Sequence, residues 1–73
     1  MQRHLTVLIE KEDDGYVSLC PELDVVSQGD TIEEAKNNLQ EAVELFFECA
    51  SEEEIQRRQH NEFYVTSIEV AIG

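Results

Sequence analysis

The stretch CPELDVVSQGDTIEEA, residues 20–35, sets Glu22, Asp24 and Asp30 close together beside a proline, a glycine and a TIEE segment. Carboxylates at such spacing suggest general acid–base or two-metal catalysis, which needs them converging on one cleft with a raised pKa or a bound ion. On an extended backbone Glu22 and Asp24 would share a face. Yet no histidine or lysine accompanies them within the stretch, and 17 acids among 73 residues make chance neighbours frequent. A structural account competes well: Pro21 ends a strand, Gly29 turns the chain and TIEE starts a helix.

The other chemically capable residues are scattered. His4 and His60 are remote from each other and stand in no HxxxH or CxxC frame, and EKEDDG does not match a calcium loop. His4 reads as a surface residue at a strand start, His60 as a helix-end residue meeting the dipole. Cys20 and Cys49 have no cationic neighbour to activate a thiolate and read as small core or half-buried residues. Three isolated glycines form no phosphate loop, and Arg57-Arg58 is too small for a nucleic-acid footprint. The expectation is a non-enzyme with no catalytic residue, metal or cofactor.

Charge is the strongest bulk signal. Seventeen acidic residues against 5 basic give a net charge of −12, a surface that repels a phosphate backbone and suits a basic partner. The plainer function of such charge is solubility. The length allows one domain, 1–73, with a small core that oligomerisation would support. The N-terminal apolar run is too short for a signal peptide or a membrane span. A cytoplasmic protein with reduced thiols is expected.

The elements that must position these residues follow from periodicity. HLTVLIEKE, residues 4–12, alternates, with Leu5, Val7 and Ile9 on one face; GYVSLC does the same after an EDDG turn in which Gly15 is free to take positive φ. Residues 23–28, LDVVSQ, read as a third strand. At Ile32 the period changes to 3.6: Ile32, Ala35, Leu39, Ala42, Val43 and Phe46 form an apolar stripe, with Glu33, Lys36, Asn37, Gln40, Glu41, Glu44 and Glu48 opposite. Thr31 and Glu34 form a capping box, and Ser51 with Glu54 repeats the pattern, which predicts a break and a short second helix. Within it Glu53–Arg57 and Glu54–Arg58 would pair at i,i+4. FYVTSIEVAI, residues 63–72, alternates and reads as a fourth strand. The adjacent Phe46 and Phe47 cannot share one narrow stripe, so one is expected at an interface.

The sum is an α+β fold, an antiparallel βββ-α-β sheet with one main helix on one face. The second sheet face would then be partly bare, with Leu8, Tyr16 and Cys20 among its apolar residues, a reason to expect a homodimer or higher oligomer.

GYVSLCPELDVVSQGDTIEEAKNNLQEAVELFFE resembles the signature of HicB-like antitoxins, which have a partial RNase H-like fold. The matching positions are Tyr16, Pro21, Glu22, Leu23, Gly29, Asp30, Thr31, Glu33, Glu34, Ala35, Asn38, Leu39, Glu41 and Ala42, over residues 15–48. The resemblance implies an antitoxin that binds and masks a small basic HicA-type mRNA-cleaving toxin, on a sheet without catalytic acids. Family members commonly add a C-terminal DNA-binding region. This chain ends with the expected fourth strand, which implies a stand-alone domain that does not itself bind nucleic acid. The partner-binding surface expected from charge and exposure is Glu22, Asp24 and Asp30. Two alternatives stand beside it: an orphan regulator of another protein, and a metal-dependent vestigial nuclease using the same carboxylates.

Overall fold

A computed structural model describes residues 4–60 and 62–73. Leu8–Glu12 (β1) and Gly15–Cys20 (β2) pair antiparallel across a two-residue turn, with Glu12 opposite Gly15 and Leu8 opposite Leu19. The turn takes its left-handed residue from Asp13, at φ 47°, and not from Gly15 as the sequence suggests. Aspartate tolerates this region because its short polar side chain bonds locally. Val25–Gly29 (β3) adds to the other edge of β2, giving the order β1-β2-β3.

Pro21 ends β2 as expected, but the third strand starts two residues later than its β-branched run implies. Leu23 N–H donates to the Cys20 carbonyl at 3.2 Å, closing a turn, and Asp24 follows at φ 56°. The turn drives Leu23 into the core, where it is fully buried beside Cys20 and Leu39.

Ile32–Cys49 (α1) lies across β3 and β2. Thr31 accepts the Glu34 N–H at 3.0 Å, and the Glu34 carboxylate reaches back to the N–H of Asp30, one residue beyond the expected partner. Ala35 and Leu39 are buried, Ala42, Val43 and Phe46 half-buried, and the polar face is exposed as its spacing predicts. Phe46 and Phe47 both pack on the core, edge to face at 5.5 Å, so neither is left for an interface on its own. The chain breaks at Ala50–Ser51, and Ser51 caps Glu52–Arg58 (α2) by accepting the Glu54 N–H. The break sets Glu52, Glu53 and Glu54 in a first turn, where the helix dipole favours them. Arg58 turns away from Glu54 and bonds to the β2–β3 connection instead.

Residues opposite each other in the register share a sheet face. Ile9, Ser18 and Ser27 line up under the helix, whereas Leu8, Leu19 and Val26 line up on the open face. Tyr16 and Cys20 therefore belong to the covered face, contrary to expectation, because they alternate in phase with buried Ser18. Ser18 donates its hydroxyl to the Ala35 carbonyl at 2.8 Å, a buried tie between sheet and helix.

The expected fourth strand is not formed. Residues 62–73 contain no strand, and Tyr64, Ile68 and Ile72 are 81%, 84% and 93% exposed. Alternation makes a segment suitable for a sheet, but a strand exists only where an edge satisfies its backbone. The α+β class and the helix-covered antiparallel sheet are as the sequence predicts; among the described residues the sheet has three strands.

Candidate functional site

The β2–β3 connection carries two of the three expected partner-binding acids, and their side chains diverge. Glu22 turns toward the strand entering β1: its carboxylate accepts the Thr6 N–H at 2.9 and 3.2 Å and lies 3.6 Å from the Cys20 thiol. Partial burial pushes the Glu22 pKa up, but its own N–H, the Thr6 N–H and hydroxyl and the Cys20 thiol outweigh it, so the net shift is downward. Burial first, and then the Glu22 charge, raise the Cys20 pKa. Cys20 is thus held as a neutral thiol at ordinary pH, the reverse of an activated nucleophile.

Asp24 points outward and meets His60 Nε2 at 3.1 Å. With the two side chains 68% and 54% exposed, this contact adds little to stability. The backbone contributes more: His60 N–H donates to the Glu22 carbonyl at 2.8 Å, and Arg58 donates to the carbonyls of Leu23 and Asp24 at 3.0 and 3.1 Å. The Arg58 guanidinium also lies 5.1 Å from the centroid of the Phe46 ring. His60 is therefore part of the clamp on the connection, not a helix-end residue alone.

Asp30 lies at the opposite end of β3, roughly 20 Å from Asp24 along an extended strand. There it is grouped with Glu12 and Asp13 of the hairpin tip and with Glu34 of α1 around a shallow surface depression. The register places Tyr16 opposite Gly29 and so brings the tip beside the β3–α1 turn. Sequence reasoning missed Glu12 and Asp13 because their proximity to Asp30 exists only across two strand pairings. The alternating hairpin pattern, followed through to its register, is the signal that finds them. The paired-carboxylate arrangement of Glu22 and Asp24 does not form, since the backbone between them bends at Asp24. Among the described residues no three His, Cys, Asp or Glu side chains are grouped as metal ligands would be.

A second surface feature is apolar. Leu5 and Val7, leading into β1, face Leu39, Val43 and Phe47 of α1 and Ile55 of α2 across an open groove of about 690 Å³. Lys36, Gln40 and Glu44 stand on its rim.

Most of the signature residues serve the architecture. Gly29 lets α1 start against β3, since a Cβ there would lie 2.5 Å from the Ala35 nitrogen. Asn38 donates to the Gln28 carbonyl at 2.8 Å, and Leu23 and Leu39 fill the core. These features define a small α+β domain in which turn, cap and strap residues hold one long helix on a three-stranded sheet.

The chain belongs to the UPF0150 family. It is 34% identical over 70 residues to a UPF0150 protein of Helicobacter pylori, an alignment covering 94% of this chain and 97% of that protein. A UPF0150 protein of Synechocystis is 48% identical over 50 residues, covering 66% and 69%. Another from the same organism is 58% identical over 45 residues, 59% of this chain and 57% of that protein. No family model matches the chain, and no solved structure does. Among the described residues no helix is long and apolar enough to cross a membrane.

Proposed function

We propose that this chain is an antitoxin-like binding module of the HicB-like kind, self-associating, which binds and neutralises a small basic HicA-type mRNA-cleaving toxin. The observation that carries the reading is charge: −12 over 73 residues, with the acids on the outward helix face and at the hairpin pole exposed. A basic partner gains from such a field in encounter rate and in selection against wrong partners. The signature over residues 15–48 supports the same assignment through its resemblance to HicB-like antitoxins. Of the acids expected from sequence, Asp30 has the best position for docking, with Glu12 and Asp13 beside it, because the Glu22 carboxylate is engaged with Thr6.

The test is binding to the product of a neighbouring short basic reading frame. The two proteins should co-purify at low ionic strength and separate at high salt, and RNA cleavage by the basic protein should stop at equimolar addition. Replacing Glu12, Asp13 and Asp30 by their amides should weaken binding at least tenfold, with the fold retained. No association at low salt overturns the reading and favours an orphan regulator of another protein. Divalent-dependent RNA cleavage by this chain alone, lost on Glu22→Gln and Asp24→Asn, would favour a vestigial nuclease instead.

A further inference from the structure

Among the described residues the sheet ends at β1, and the same chain carries an apolar segment that stands exposed. Glu12 and Gly15 flank the two-residue turn and bond to each other across it; by alternation Leu8 and Glu10 also bond to β2. The N–H and C=O groups of Val7, Ile9 and Lys11 then face outward along the free edge. Behind that edge lies the apolar groove between Leu5 and Val7 and the helices. An edge to pair and an apolar wall to cover are the two requirements of one more strand.

Residues 62–73 have the matching form. Tyr64, Thr66, Ile68, Val70 and Ile72 alternate onto one face, and the four large apolar side chains among them are 64% to 93% exposed. Within the alternating stretch 63–72 Glu69 is the one charged residue, whereas α1 carries five glutamates against one lysine. Two copies meeting through their helix faces would set acid against acid; meeting through residues 63–72 and the groove, where Lys36 stands beside Glu44, reduces that repulsion.

The segment leaves the body where His60 is tied to the Glu22 carbonyl, beside the end of the groove at Thr6, which the Glu22 carboxylate holds. Yet its large apolar side chains stand exposed and are not seated there. The radius of gyration is 14.5 Å, against about 11 Å for a compact chain of this length.

We infer that residues 62–73 of one copy pair with the outer edge of β1 in a second copy, seating Ile68, Val70 and Ile72 in its groove. The exchange is reciprocal and closes a two-fold dimer. A specific interface needs roughly 1,000 Å² of buried surface, which two exchanged extended segments supply together with their grooves. The dimer rests on the self-association in the functional reading and on no toxin.

Sedimentation velocity on the purified chain tests this. The native chain should sediment at twice 8.4 kDa, and the Ile68→Lys/Ile72→Lys double variant at 8.4 kDa, with unchanged helical circular dichroism. In a mixture of isotope-labelled and unlabelled chains, nuclear Overhauser contacts should join residues 64–72 of one copy to Leu5 and Val7 of the other. A monomeric native chain overturns the inference. So does a dimer indifferent to the double substitution, which would place the interface on the open face of Leu8, Leu19 and Val26. Contacts confined to one copy would show that the chain pairs its own tail, and also overturn it. None of these readouts involves a basic partner, so failure here leaves the toxin reading to its own test.

Discussion

A Cβ placed on Gly29 would lie 2.5 Å from the amide nitrogen of Ala35, so β3 and the first turn of α1 meet backbone to backbone. The Ser18 hydroxyl bond to the Ala35 carbonyl holds the same turn against β2. Gly29→Ala therefore forces helix and strand apart. The expected loss is about 2–3 kcal/mol of unfolding free energy. Urea denaturation should show a lower midpoint with an unchanged slope.

Leu23 and Asp24, adjacent in sequence, should respond to very different extents. Leu23 is fully buried, and Leu23→Ala should cost about 2–5 kcal/mol by leaving a cavity next to Cys20 and Leu39. Asp24 is exposed at φ 56°, where an L side chain is disfavoured. Asp24→Gly relieves that conformation while loosening the unfolded chain, so the net change should stay within about 1 kcal/mol. Thermal unfolding of both variants separates the two cases.

Acid should weaken the fold in part through Glu22. Its folded pKa lies below the ordinary 4.5, so the unfolded chain binds more protons as pH falls through this range. Its contribution is complete above the unfolded pKa and is lost as pH drops through the folded one. Glu22→Gln should flatten the pH dependence of stability below about pH 5 and leave the slope above about pH 6 unchanged. Chemical denaturation across that range, compared with the native chain, is the measurement.

Arg58→Met removes the two bonds to the Leu23 and Asp24 carbonyls and the cation over Phe46 while keeping an apolar stem. A loss of about 1–2 kcal/mol is expected. Hydrogen exchange should quicken at the α2 amides and at the Leu23 N–H more than at the Ala35 and Leu39 amides. Uniform acceleration across the helix would contradict a local clamp.

The sequence by itself determined the elements whose stabilising contacts lie within a few residues. Thr31 and Ser51 cap helices because each hydroxyl meets an N–H three positions on. Their spacing is visible in TIEE and SEEE, and so is the break between the helices. The stripe through Ala35 and Leu39 and the hairpin alternation also announce their elements, since a period of 3.6 or 2 is set by backbone geometry. Only tertiary structure decided what these elements do to the acids. Glu22 reaches Thr6, Asp24 meets His60 and Asp30 joins the hairpin tip through contacts that depend on strand register and on where α2 docks. The same reason governs residues 62–73. Their alternation is suited to a sheet, but pairing requires an edge, and a segment's own residues do not encode which edge it meets.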